Sequence, residues 1–252
     1  MTDRTAQAAQ QGVRLVGWTP EGEIQSDTFR LRRWSGAGTF EASDPWETIL
    51  AAPSGGVTLL SPDEVELPTR SVAILPAGPV KARLAAGVSA YLLSPVARPE
   101  GIFRRRSRAG RVAVLHVGTL PTMPGNPRLR LIQSEVMSIN WTEYDGPRDR
   151  RTLSPHLHDD FGQGALALEG QFIHHLRLPW GPDATSWMPD QHIEAGPETF
   201  VEIPPGHLHT TEGIGDDHHL VIEMFSPPRA DFIAKGWVAN AGDYEAAGQH
   251  DD

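Results

Sequence analysis

Apolar residues along this chain gather in short runs, not in stripes of helical period. In the first half the runs cover 13–18, 48–51, 57–60, 72–75 and 90–93. In the second half they cover 112–117, 129–141, 165–178, 199–203 and 219–225. Clusters of Pro, Gly, Ser and Asp separate them, and few stretches favour a helix. Short strands between turn signals are the expected result, as in a sandwich or barrel. A short helix is expected over 231–239, and the acidic end at 243–252 is expected to fray.

Two stretches repeat one design. Glu66 to Gly78 runs into a Pro-x-Gly turn and is followed by the strand-like run 90–95, which ends on Ser-Pro. Glu194 to Gly206 does the same and is followed by 220–227. This reads as an internal duplication, with Lys81 in the first copy where the second has His209. The expected organisation is a tail at 1–10, a first barrel at 11–97, a linker at 98–111, a second barrel at 112–230, and a short helix with an acidic tail at 231–252. The run of arginines from Arg104 to Arg111 is expected to be a solvated linker or edge.

Composition narrows the chemistry. The chain has 252 residues, a formal net charge of −10, 22 Pro and 25 Gly. An acidic surface is ill suited to phosphate backbones, so general nucleic-acid binding is not expected. There is no cysteine, which excludes disulfides, thiolate metal sites and thiol catalysis. No apolar run approaches the roughly 20 residues of a membrane helix. The polar residues 1–11 do not resemble a secretory signal. A cytoplasmic, membrane-free protein is the expectation. All eleven histidines fall at His116 or later, so the chemistry is expected in the second half.

Four of its residues stand out. His156 and His158 are two apart, and in extended chain they share a face about 7 Å apart. Gln163 and His209 would reach the same point from neighbouring strands. Three neutral imidazoles and an amide oxygen suit a divalent first-row metal. The amide matters: the first shell keeps a charge of +2, against +1 with Glu, which strengthens Lewis acidity.

The two segments carrying these residues resemble the cupins. His156-x-His158, four residues, Gln163, six residues and Gly170 match the first cupin motif. Pro204-Pro-Gly206-His-Leu-His209 matches the second. Arg150, Gly196 and Gly213 depart from the usual turn-shaping positions. The resemblance covers about 112–230 and implies an all-β fold, with two double-stranded antiparallel barrels in tandem. In this bicupin the N-terminal barrel would be degenerate and the C-terminal one would bind metal. Gln163 and the run Glu223-Met-Phe225-Ser-Pro-Pro-Arg229 are similar to the cupins that open the ring of 4,5-unsaturated monouronates. That likeness implies catalytic roles for Glu223, Phe225 and Arg229: Glu223 moving a proton, Arg229 clamping a substrate carboxylate.

The resulting expectation is a metal-dependent enzyme acting on a small oxygenated anionic substrate, by ring opening or isomerisation. An Fe(II) dioxygenase cleaving a C–C bond and a non-catalytic small-molecule-binding cupin stay open. So does the identity of the metal (Zn, Ni, Fe, Mn or Co), and a homodimer is open as well. His174 is expected to be a packed imidazole or a contact behind the ligands, Trp141 a core residue, and His192 and His207 surface histidines.

Overall fold

A computed structural model describes residues 13–106 and 110–246; the expected tail at 1–10 and most of the acidic end lie outside them. Antiparallel strands dominate, arranged as two-layer jelly rolls. The described residues form two compact units, 13–17 with Asn140–Phe225, and Trp18–Ile139 with 226–246. Among the described residues no helix is long and apolar enough to cross a membrane.

The unit that carries the histidine quartet has two sheets. In one, the strand order is β1 (Arg14–Val16), β18 (Thr199–Ile203), β15 (Gln163–Glu169), β20 (His218–Phe225) and β14 (Ser138–Asp145). In the other, β16 (Gln171–Arg177) lies between β17 (Gln191–Ala195) and β19 (Leu208–Ile214). Ala165, Ala167, Val201, Ile203 and Val221 of the first sheet pack with Phe172, Leu176 and Ala195 of the second. Burying these faces supplies the main drive for folding. The apolar run 165–178 is therefore two strands, reversed at Gly170. That residue has φ +81°, and a Cβ there would come within 2.7 Å of the His218 carbonyl oxygen. Only glycine fits both demands.

The other unit repeats the plan. One sheet has the order β12 (Ala113–His116), β8 (Ser71–Leu75), β5 (Thr48–Ala52), β10 (Ser89–Pro95), β3 (Phe29–Ser35) and β2 (Glu23–Gln25). The second has the order β4 (Gly38–Asp44), β9 (Gly78–Leu84), β6 (Val57–Ser61) and β7 (Val65–Leu67). Leu50, Leu75 and Leu92 pack with Leu59, Val80 and Ala82 between these sheets. Strand for strand, β8, β5 and β10 occupy the places that β18, β15 and β20 hold in the quartet-bearing unit.

The structure differs from the expected organisation in three ways. β1 pairs with β18, not with any strand of the N-terminal half. β12, expected to open the second barrel, pairs with β8. Each outer sheet thus takes an edge strand from beyond its own stretch of sequence, which no local pattern can announce. The third concerns Lys81. It is exposed on β9 and paired with Glu41 at 2.6 Å, while Val80 and Ala82 face the core. Unlike His209, which is buried, it faces away from the core.

Of the arginine run, 107–109 lie outside the described residues, and Arg104 and Arg105 belong to an edge strand, not a solvated linker. β11 (Phe103–Arg105) pairs with β21 (Tyr244–Ala246). Arg105 is buried and bonds Glu47 at 3.1 Å. The Tyr244 hydroxyl and the Glu135 N–H donate to the other Glu47 oxygen at 2.9 and 3.0 Å. Burial pushes the Glu47 carboxyl up while Arg105 pulls it down; burial also pushes the Tyr244 phenol up, beside the Glu47 carboxylate. The helix expected at 231–239 is α1, Ala230–Ala234.

Candidate metal centre

His156 and His158 lie on extended chain just before β15, with one bridge to β19 in place of a strand. His156 and His209 exchange both backbone hydrogen bonds, N–H to O at 3.0 and 2.9 Å. That pairing sets the two histidines side by side, with ring centroids 4.4 Å apart. One candidate ligand nitrogen from each of His156, His158 and His209 lies within 4.8 Å of the others. His158 and His209 are buried and His156 is exposed, so the group opens to solvent on one side.

The imidazoles are oriented by their own backbone. Nδ1 of His156 faces the Ser154 carbonyl at 3.0 Å, Nδ1 of His158 the Phe161 carbonyl at 2.8 Å, and Nδ1 of His209 the His207 carbonyl at 2.7 Å. A carbonyl only accepts, so each Nδ1 carries the proton and each Nε2 is left with a bare lone pair. Burial, the largest cause, holds His209 down at about 3, and the neighbouring His156, His158 and His174 add to it. Above mildly acidic pH this ring is neutral.

Gln163 completes the set. It is the first residue of β15 and fully buried. Its Oε1 lies 3.1 Å from His209 Nε2 and 3.4 Å from His158 Nε2. Its Nε2 donates to Glu223 Oε1 at 2.9 Å, and that bond turns the amide so that oxygen, not nitrogen, faces the histidines. Lone pairs from imidazole nitrogens and an amide oxygen thus converge with no proton between them. Such a set of acceptors repels itself unless a cation sits among it, and neutral N and O donors suit a divalent transition ion. The residues fit a metal.

Glu223 stands opposite Ala165 on β20, and its second oxygen accepts from Asn140 Nδ2 at 3.3 Å. Phe225 lies two residues on, edge-on to His158 and to Phe161, with ring centroids 6.4 and 5.7 Å apart. It walls the quartet with apolar surface. Arg229 departs from expectation. It belongs to the other unit, where its Nε and one terminal nitrogen each donate to Asp231 at 2.7 Å and its guanidinium carbon lies 3.6 Å from the centre of the Phe232 ring. The fork that was to clamp a substrate carboxylate is already filled by Asp231.

Other residues fall as their local surroundings require. Trp141 is buried and donates to Glu143, as a core residue. His174 is fully buried, contacts Thr211 Oγ1 at 3.0 Å, and is held down at about 4 by burial and by the charge of His175. His207, expected at the surface, is buried. The motif departure at Gly213 has a steric cause: a Cβ there would collide with the Tyr144 hydroxyl and come within 2.8 Å of His219 Cδ2. Tyr144 and His219 stack across this gap, 5.1 Å apart. Sequence reading gave Asn140 no role. Nothing in the pattern of β14 marks it, since its meeting with Glu223 depends on which strands adjoin.

No family model matches this sequence, and no curated protein matches it. Solved structures do. An oxalate decarboxylase from Lactobacillus farciminis, in a formate complex, aligns over 89% of this chain and 88% of its own with a TM-score of 0.59 at 11% identity. AerE from Microcystis aeruginosa aligns over 85% of this chain and 96% of its own, with a TM-score of 0.55 at 13% identity. An IolB-like protein from Salmonella typhimurium aligns over 84% and 92%, with a TM-score of 0.55 at 8% identity. At such identities the likeness is one of fold.

Proposed function

Starting from the cupin fold shared with these structures, we propose that the chain is a metal-dependent enzyme acting on a small oxygenated anionic substrate. The observation that carries this reading is the convergence of one nitrogen each from His156, His158 and His209, with the Gln163 oxygen beside two of them. A divalent ion (Zn, Ni, Fe, Mn or Co) held there would polarise a substrate carbonyl or hydroxyl. With four neutral donors its charge stays undiminished, which favours an anionic oxygen ligand.

The protein's own groups divide the remaining work. Gln163 links the ligand set to Glu223 through its amide N–H, so the carboxylate is held beside the ion site without binding it. Glu223 Oε2, whose bond to Asn140 is the longer of the two at 3.3 Å, is the atom placed to take a proton from substrate and return it. Phe225 and Phe161 exclude water on one side. Ring opening or isomerisation of an unsaturated sugar acid is the concrete form of this chemistry. It needs a Lewis acid and a proton shuttle and no change of oxidation state.

The test is metal analysis of freshly purified protein, followed by a substrate screen with and without oxygen. Stoichiometric metal in the wild type, its loss in Gln163→Ala, and turnover that survives strict anaerobiosis are the expected results. Turnover that stops without oxygen would replace this reading with an Fe(II) dioxygenase. Tight binding of sugar acids with no turnover in either atmosphere would replace it with a binding protein.

A further inference from the structure

The sheet that supplies His209 carries a second set of histidines on its opposite face. On β16, Phe172, His174 and Leu176 are buried toward the core, so His175 and Arg177 face outward. His175 stands directly across from His192 on β17 and from Thr210 on β19. The two Nδ1 atoms of His175 and His192 are 2.7 Å apart. On its far side, His175 Nε2 lies 2.8 Å from Glu212 Oε2. Glu212 is buried, at 4% exposure, and its other oxygen is paired with Arg150 Nε at 3.1 Å.

These contacts fix the protons. A carboxylate only accepts, so His175 carries its hydrogen on Nε2 and presents a bare Nδ1 to His192. A carboxylate behind an imidazole, with the free nitrogen in front, is the arrangement that orients and strengthens histidine as a metal ligand. Beside it, a depression of about 220 Å³ is lined by His175, His192, Thr210, Asp190 and Arg177, with His209 also in its wall. The Asp190 carboxyl is held below its usual range by its hydrogen bond to Arg177.

We propose that His175 and His192 form a second divalent-metal site on the outer face of this sheet, with Glu212 as its positioning residue. The ion takes the place of the proton shared by the two Nδ1 atoms, and that proton moves to His192 Nε2. Two nitrogens on one tetrahedral zinc ion at about 2.0–2.1 Å lie roughly 3.3 Å apart, so the rings must part by about half an ångström. His192 is exposed on an edge strand and can move that far. Water would fill the remaining positions, and a borderline ion such as zinc is the cargo a pair of imidazoles favours.

The experiment is a zinc titration of the metal-stripped full chain at neutral pH, read as bound ions per chain. Wild type is expected to bind two. His192→Ala and His175→Ala should each bind one, and His209→Ala should lose the inner ion while keeping the outer. Glu212→Gln should still bind two, with the outer ion weakened about 10- to 100-fold. An unchanged zinc count in His192→Ala, an exposed position whose replacement leaves the core intact, overturns the proposal. So does a loss confined to His175→Ala, because both rings must bind. If His209→Ala keeps the wild-type count, the inner quartet fails while the outer site stands on its own result.

Discussion

Replacing Glu223 by Gln separates two jobs that the structure joins in one side chain. The carboxylate accepts from Gln163 Nε2 at 2.9 Å and from Asn140 Nδ2 at 3.3 Å. An amide at the same place offers one oxygen to those two donors and turns an NH2 toward the other. The hydrogen bond orienting Gln163 falls from charge-assisted strength, about 1.5–3 kcal/mol, toward about 1 kcal/mol. A loss of roughly 1 kcal/mol in holding the amide corresponds to about a five- to tenfold weaker metal Kd. Removing a general base costs about 10²–10⁴ in rate, or roughly 3–5 kcal/mol of barrier. The two effects differ by at least an order of magnitude. Zinc or nickel affinity of the stripped protein should therefore fall modestly, while kcat/KM falls by a hundredfold or more at saturating metal. A Glu223→Gln protein with wild-type kcat/KM refutes the proton role. A metal affinity lowered by a hundredfold shows instead that Glu223 acts by retaining the ion.

Three further outcomes are expected. Arg105→Met strips the buried Glu47 carboxylate of its partner and should cost about 3–5 kcal/mol in urea unfolding, with the loss shrinking at low pH where Glu47 is protonated. Gly213→Ala must displace Tyr144 or His219 and should cost about 1–3 kcal/mol, and Tyr144→Phe in the same chain should recover part of it. The metal-stripped protein should lose stability as pH falls. His174 is held at about 4, below its ordinary 6.5, so the unfolded chain takes up a proton first. Its contribution is complete above about pH 6.5 and declines toward pH 4, by about 3 kcal/mol. Denaturant midpoints at pH 7.5 and 4.5 measure this, and a slope unchanged in His174→Gln would dismiss His174 as the cause.

Much of the quartet was legible because its spacing is local. His156-x-His158 and the turn Pro204-Pro-Gly206 before His209 each bring a histidine to a set place by chain geometry, and Gln163 opens a strand whose apolar run is plain. The apolar runs also found the strands buried on both faces, such as β5 and β8. They missed β4 and β9, whose burial alternates with exposure. In those strands charged residues such as Glu41 and Lys81 interrupt every run, because one face meets water.

What the sequence determined alone was the all-β class, the absence of thiol chemistry and the identity of the four converging donors. These follow from composition, period and spacing, which are properties of neighbours in the chain. Tertiary structure decided which strands adjoin. Only the pairing of β14, β20 and β15 could bring Asn140 to Glu223 and Glu223 to Gln163, and so decide which end of the amide faces the histidines. Only the fold could seat Arg105 on Glu47, 58 positions away. Such contacts join residues tens of positions apart or more, and their energy depends on burial that no local pattern encodes. The same holds for the row His192, His175 and Glu212, where three separate strands set nitrogen against nitrogen on a face the cupin motifs do not describe.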